Sequence, residues 1–154
     1  MKRRAVVSGL TDRLLVSSWS ITDQGFKVQG DWMEVSADPV SDSALGSLVR
    51  AALSNCRAGV PHPNLREGPT AERRRFLELA GAKSEAQYAR GTREVSVRSE
   101  DPDSDLIVTP YRNGGRRTGF SEMLDQVITV QARADDDALG AAVRRALGIA
   151  TDGT

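Results

Sequence analysis

The sequence predicts an α+β fold in which a mainly antiparallel sheet packs against three to four helices. Three observations favour this class: short apolar runs in both halves of the chain, an amphipathic helix after each of them, and an internal repeat of this order. A chain of 154 residues can bury one core of its own. We therefore expect a single domain that spans residues 1–154.

The internal repeat is the most informative of these observations. Residues 44–53 (ALGSLVRAAL) return 94 positions later as residues 138–147 (ALGAAVRRAL), and Gly25-Phe26 returns at the same spacing as Gly119-Phe120. The repeated positions are packing residues, and a repeat this long with only two copies does not indicate a solenoid. The pattern favours an internal duplication within one domain.

We predict two repeat units, at about residues 13–56 and 105–150, with a helical middle segment at about residues 70–90. Each unit contains a strand, a turn, a second strand and a helix. If the duplication is real, the two units superpose about a pseudo-two-fold axis.

The first unit begins with strands at residues 13–19 and 26–35, which a turn rich in polar residues separates. A helix is predicted from about Asp42 to Ser54, and Ser41 or Asp42 can cap its exposed amides. One face of this helix is apolar and carries Leu45, Leu48, Val49, Ala52 and Leu53. A glycine inside the helix, Gly46, costs roughly 1 kcal/mol against alanine. Its recurrence in the second copy suggests that another backbone packs closely there.

The middle segment follows a loop at residues 57–69 that contains several prolines. A helix is predicted from Thr70 to about Ala80, with Gly81 placed to end it. A shorter helix begins at Ser84, because a glutamine three positions later matches a capping box.

The second unit is preceded by residues 94–98, which alternate with period two as a half-buried strand does. A turn leads into a strand at residues 106–108, residues 113–115 indicate a loop, and residues 127–130 form another strand. The second repeated helix begins at about Asp135, and its apolar face carries Leu139, Ala142, Val143, Ala146 and Leu147.

Motifs for catalysis, metals or cofactors are missing from the sequence. The single histidine, His62, and the single cysteine, Cys56, cannot form a zinc tetrad, and a serine hydrolase would need a nucleophile turn with a histidine nearby. Residues 113–119 lack the Gly-Lys-Ser/Thr ending of a phosphate-binding loop. The arginines at 73–75 are interpreted as a solvated helix face, and the aspartates at 135–137 as a helix cap. We expect no cofactor, metal or small-molecule substrate.

Composition indicates which classes of partner and which cellular location to expect. Lysine plus arginine and aspartate plus glutamate both total 21, so net charge favours neither nucleic acid nor acidic partners. The seven Phe, Trp and Tyr residues are too few for a stacking surface, so direct nucleic-acid binding is not expected. No apolar run resembles a signal peptide or a membrane span. A cytoplasmic protein is predicted, and the excess of arginine over lysine suggests a GC-rich bacterial genome.

One acidic segment is a candidate partner-binding site. Glu100, Asp101, Asp103 and Asp105 place four carboxylates within six residues on a predicted turn, and no helix follows that they could cap. A plain solvated turn is the alternative interpretation. Aromatic residues near loops can supply buried anchors at an interface, and the two candidates are Trp32 and Tyr111.

Several segments together resemble the CdiI family, the immunity proteins of bacterial contact-dependent growth inhibition systems. They are Ser43-Ala44-Leu45-Gly46 with Val49-Arg50-Ala51-Ala52-Leu53, Lys83-Ser84-x-x-x-Tyr88, Ile107-Val108-Thr109-Pro110, and Asp136-Asp137-Ala138-Leu139-Gly140 with Ala146-Leu147. The resemblance is one of pattern and order from about residue 13 to residue 150, without a diagnostic catalytic motif.

The resemblance implies a protein that is no enzyme. It would bind the C-terminal toxin domain of a cognate CdiA protein in the cytoplasm and block its activity, and such toxins are often nucleases. Two alternatives remain open: a binding or regulatory module outside toxin immunity, and an enzyme that uses carboxylates such as Glu100 and Asp103 with an arginine. The enzyme would need a concave pocket where those groups converge.

Overall fold

One eight-stranded sheet forms the centre of the structure, a computed structural model that describes residues 1–154 apart from the side chain of Arg116. The strands are Arg3–Gly9 (β1), Arg13–Thr22 (β2), Lys27–Ala37 (β3), Ala58–Val60 (β4), Arg93–Ser99 (β5), Leu106–Asn113 (β6), Phe120–Glu122 (β7) and Ile128–Val130 (β8). The helices are Asp42–Ser54 (α1), Ala71–Ala80 (α2), Glu85–Ala89 (α3), the single turn Gly115–Thr118 (α4) and Asp136–Ile149 (α5). The predicted α+β class is confirmed.

The sheet is antiparallel at every pairing except that of β4, which runs parallel to β2. The strand order is β3-β2-β1-β5-β6, and β7 and β8 both pair with β6. The central strand, β1, was missed from the sequence. Its apolar run is short, and it is paired along its length with both β2 and β5, so that Val6 lies opposite Ser17 and Ser96.

Helices α1 and α5 cover one face of the sheet and bury its larger core. The core residues that the sheet supplies are Ala5, Val7, Leu14, Val16, Val95, Val97, Leu106, Val108 and Val130. Leu45 of α1 and Leu139 of α5, at equivalent positions of the repeat, are fully buried against these sheet residues. The predicted caps are confirmed, because the Ala44 amide donates to the Ser41 hydroxyl at 3.1 Å and an Asp135 carboxylate oxygen caps α5 in the same way.

Helices α1 and α5 contact each other at Gly46 and Gly140. The glycine inside the predicted first helix had indicated such a close approach. A Cβ atom added to Gly46 would lie 2.8 Å from the carbonyl carbon of Asp136, and one added to Gly140 would lie 2.5 Å from that of Asp42. Only glycine allows the backbones to approach so closely.

Residues 94 positions apart make matching contacts beside these glycines. Arg50 Nε donates to Asp136 at 3.0 Å, and Arg144 Nε donates to Asp42 at 2.9 Å. The strands are less alike, because the single strand β3 has the interrupted pair β7 and β8 as its counterpart. Duplication of the whole unit therefore stays a prediction, which the helix contacts support.

Helices α2 and α3 cover part of the opposite face, where Phe76, Leu77 and Tyr88 pack on Leu15 and Met33. The boundaries of both helices agree with the sequence. Thr70 and Ser84 accept hydrogen bonds from the first-turn amides of α2 and α3, and Gly81 ends α2 in the left-handed conformation.

The interpretation of Arg73 as part of a solvated helix face is wrong. Its guanidinium donates two hydrogen bonds to the Glu85 carboxylate, at 2.7 and 2.8 Å, and lies 4.4 Å from the ring centre of Phe76. It thereby joins α2 to α3 above the sheet. The predicted loop after residue 112 also needs correction, because β6 continues through Asn113 and α4 follows at once.

Candidate functional site

Four strands bring positively charged residues together at one end of the sheet. Because neighbouring strands are antiparallel, the beginnings of β1 and β3 lie beside the ends of β2 and β5. They enclose a cavity of about 140 Å³, which we call the basic pocket. Its lining is formed by Lys2, Arg3, Arg4, Trp19, Ser20, Ile21, Lys27, Arg98, Ser99 and Glu100.

Arg4 is largely enclosed, since only 16% of its side chain is exposed. It donates to Glu122 Oε1 at 2.9 Å and to the hydroxyl of Tyr111. On the neighbouring strand, Arg98 lies 4.0 Å from the second oxygen of Glu122. Burial alone would favour protonated Glu122, but the Arg4 hydrogen bond and the two positive charges hold its pKa below the ordinary value. A single carboxylate is thus shared by two guanidinium groups.

Lys27 completes the positive surface from the first residue of β3. Among the described residues it forms no ion pair. The positive charge of Arg4 is the main cause that lowers the pKa of Lys27, and partial burial lowers it further. The pocket therefore carries positive charge that its own carboxylates do not balance.

The sheet face beneath the pocket contains polar atoms without partners. The Trp19 ring forms part of the pocket wall, and its Nε1 is buried without a hydrogen-bond partner in the described part of the chain. The hydroxyls of Ser17 and Thr109 are in the same condition, and the register places them with Trp19 on the side of the sheet away from α1 and α5. Buried donors usually find partners, so this face is not optimised as an ordinary core.

The acidic turn, Glu100 to Asp105, adjoins the basic pocket between β5 and β6. All four predicted carboxylates are exposed. Asp101 accepts a hydrogen bond from the Asp103 amide at 2.9 Å, which lowers the pKa of Asp101. Glu100 belongs to both surfaces, because it lines the pocket and lies 3.8 Å from Lys2 Nζ. Opposite charges thus lie side by side at this end of the sheet.

The two aromatic candidates lie apart from each other. Trp32 is half-buried on β3 and packs on the core beneath α1, with β2 and β1 between its strand and the acidic turn. Tyr111 does not lie near a loop but inside β6, and only 8% of it is exposed. Its hydroxyl contacts Arg4 and Glu122, so it supports the basic pocket from below.

A second polar cluster, of Ser8, Tyr88 and Glu94, is buried under α3. Tyr88 bonds to the hydroxyl of Ser8 at 2.7 Å and donates to the Glu94 carboxylate, and each of the three residues is less than 10% exposed. Burial raises the pKa of Glu94 and, together with the nearby carboxylate, the pKa of Tyr88. The cluster ties α3 to the sheet.

The residues considered for metal chemistry are separated from one another. His62 Nδ1 lies 3.3 Å from the Thr22 hydroxyl, and its ring packs 5.2 Å from that of Phe26. Cys56 is buried at the end of α1. Within the described residues, no three His, Cys, Asp or Glu side chains cluster in a way that could hold a metal ion. Of the helices described, none has the length and apolar character needed to cross a bilayer.

The basic pocket was missed from the sequence. No strand is predicted at Lys2 to Arg4, and Lys27 and Arg98 fall in two predicted strands whose pairing the sequence does not show. One signal in the sequence could have indicated the pocket. Alternate residues of a strand share a face, so Arg4 lies on the same face as Ser8, opposite to the apolar face of Ala5 and Val7.

Solved structures with the same fold come from two other bacteria. A protein of unknown function from Neisseria meningitidis superposes with a TM-score of 0.77 at 15% identity, over 98% of this chain and 96% of that one. A chain of the CdiA-CT/CdiI toxin and immunity complex from Yersinia pseudotuberculosis superposes with a TM-score of 0.78 at 17% identity, over 98% of both chains. At such identities the likeness shows the fold alone.

The sequence itself gives a more specific result. No curated protein sequence matches the chain at a significant level. The family model described as CdiI, CDI immunity protein, matches residues 3–150, which is nearly the whole chain. The resemblance noted in the sequence is thereby confirmed, and the chain belongs to the CdiI family of immunity proteins.

Proposed function

We propose that this protein binds the C-terminal toxin domain of a cognate CdiA protein in the cytoplasm and blocks its activity. The observation that carries the proposal is the family match over residues 3–150. The fold shared with a chain from a CdiA toxin and immunity complex supports it.

Inhibition would act by covering the toxin, not by chemistry. The basic pocket is lined by five cations, the carboxylate of Glu100, a tryptophan, an isoleucine and two serines, and none of its described lining residues is a histidine or cysteine that could form a nucleophile and base pair. Glu100 lies beside arginines there, but it pairs with Lys2 and the second carboxylate of the enzyme alternative, Asp103, is not part of the lining. Tyr88 and Glu94 are buried, and their hydrogen bonds join α3 to the sheet. A non-catalytic inhibitor needs a surface that excludes the toxin's substrate, and the charged end of the sheet provides one.

The acidic turn is the part of this surface that suits a nuclease partner. A nuclease attracts the phosphate backbone with positive charge. The exposed carboxylates of Glu100, Asp101, Asp103 and Asp105 could occupy the same positive cleft, because none of them caps a helix or supports the core. Of the two aromatic candidates, buried Tyr111 would act through Arg4 and Glu122, which its hydroxyl contacts, and half-buried Trp32 would act at a place away from the acidic turn.

The test starts from the neighbouring genes: a CdiA toxin domain encoded there is purified, and its binding to this protein is measured by stopped-flow and surface-bound kinetics. We expect wild-type protein to bind and to abolish the toxin's activity in vitro. Charge reversal at Asp101 and Asp103 to lysine should slow association and weaken its dependence on salt.

The matched control replaces Glu72 and Glu78, two exposed carboxylates on α2, by lysine. This double substitution changes the net charge by the same amount. Unchanged association rates for Asp101→Lys/Asp103→Lys at two salt concentrations would show that the turn is merely solvated. Failure of wild-type protein to bind the toxin domain would refute the proposed function and favour a binding module outside toxin immunity.

A further inference from the structure

We propose that the basic pocket receives one acidic side chain of the toxin domain, as a carboxylate socket beside the acidic turn. This inference rests on the proposed function and specifies the chemistry of the partner at a surface that adjoins the acidic turn and shares Glu100 with it.

The charges in the pocket favour an incoming anion. Five cations line it, and the only carboxylate in its lining is Glu100, which already pairs with Lys2. The nearby Glu122 is held between Arg4 and Arg98. Lys27 has no anionic partner among the described residues and lies in the positive field of Arg4, which lowers its pKa. A carboxylate placed there would relieve the repulsion between cations and would accept hydrogen bonds from several of them.

The size of the pocket limits what can enter. A cavity of about 140 Å³ has room for one acidic side chain or one small anion.

The neighbouring acidic turn distinguishes a protein carboxylate from a polyanion. The exposed carboxylates at Asp101, Asp103 and Asp105 would repel the continuous negative charge of a nucleic acid that reached the pocket. A folded partner can present a single acidic side chain to the pocket and a basic patch to the turn at the same time. The basic pocket and the acidic turn therefore fit a partner protein that carries an acidic side chain next to a basic patch.

Lys27 is the best position for the test because its side chain is exposed and makes no ion pair in the described structure, so its replacement should leave the fold intact. We expect Lys27→Glu to weaken binding of the toxin domain at least about tenfold and Lys27→Met to weaken it less, about threefold. The control, Lys83→Glu, makes the same change at an exposed lysine before α3, and should stay within about twofold of wild type. Thermal melts confirm that each variant is folded.

A charge-swap screen then identifies the partner residue. Single Asp→Lys and Glu→Lys variants of the toxin domain are tested against Lys27→Glu, and restored binding by one of them would establish the contact.

Equal affinities for Lys27→Glu and Lys83→Glu would overturn the socket while leaving the toxin as the partner. Saturable binding of inorganic phosphate that Lys27→Glu abolishes, with toxin affinity unchanged, would overturn it in favour of a free-anion site. If wild-type protein does not bind the toxin domain, the proposed function fails and this inference fails with it.

Discussion

Replacing Gly46 by alanine tests whether the contact between α1 and α5 determines the stability of this fold. The added Cβ would lie 2.8 Å from the carbonyl carbon of Asp136 and nearer still to its oxygen, whereas ordinary van der Waals contact begins at about 3.4 Å. The obstacle is backbone, which cannot rotate away as a side chain can. The helices must therefore separate by more than about 0.6 Å, the difference between those two distances.

The expected cost follows from two opposing effects. Overpacking a closely packed interior costs about 1–3 kcal/mol, and the collision with main chain places Gly46→Ala towards the upper end. Alanine also recovers up to about 1 kcal/mol of helix propensity. We expect a net loss of about 2 kcal/mol in the free energy of unfolding, which for a chain of this length lowers Tm by roughly 4–8 °C.

Urea unfolding at constant pH measures this change, and Gly148→Ala is the matched control. Gly148 lies in α5 with no atom within 4 Å of its added Cβ, so alanine there should stabilise the protein by about 0.5–1 kcal/mol. The double variant Gly46→Ala/Gly140→Ala should cost less than the sum of the single variants, because both methyl groups separate the same two helices. Stabilisation by Gly46→Ala equal to that of Gly148→Ala would refute the close approach of the backbones.

Four further changes test other parts of the structure. Leu139→Ala removes a fully buried side chain and should cost about 2–5 kcal/mol in urea unfolding; a loss below about 1 kcal/mol would contradict its burial. Thr109→Val replaces a buried hydroxyl without a described partner and should stabilise the protein by about 1 kcal/mol, so destabilisation would imply a missing partner. Because burial raises the pKa of Glu94, wild-type stability should fall relative to Glu94→Gln as pH rises from about 4.3, the ordinary glutamate value, through the raised pKa; a constant difference between the two would contradict the shift. His62→Ala should cost about 1 kcal/mol or less, since the ring makes one long hydrogen bond and one aromatic contact, and toxin binding should be unchanged.

Local sequence signals predicted the helices well. The bounds of α1 agree with the apolar spacing, Ser41 caps it, and α2 begins after Thr70 and ends before Gly81 as expected. These features depend on neighbours a few residues away, so the information lies within each segment. The role of Gly46 was also visible, because a glycine is costly inside a helix unless something approaches it.

Features that depend on distant pairing could not be predicted in the same way. The position of β1 between β2 and β5 is set by contacts with residues about 10 and 90 positions away, and the basic pocket exists only because of that strand order. Arg73 was misassigned for the same reason, since its partner Glu85 is on the next helix. The burial of Tyr111 follows from its place inside a strand that was predicted to be shorter.

The two faces of the sheet differ in composition, and the proposed binding surface lies on the more polar one. The face beneath α1 and α5 is built from fully buried apolar side chains, and its contacts account for most of the core. The other face carries Arg4, Glu122 and Tyr111, together with buried polar atoms that have no described partners. Each such atom costs about 1–3 kcal/mol when it is left unpaired, and apolar residues there would give a more stable protein. The apolar core beneath α1 and α5 offsets that cost. The other face can therefore keep charged residues where its strands end, beside the acidic turn.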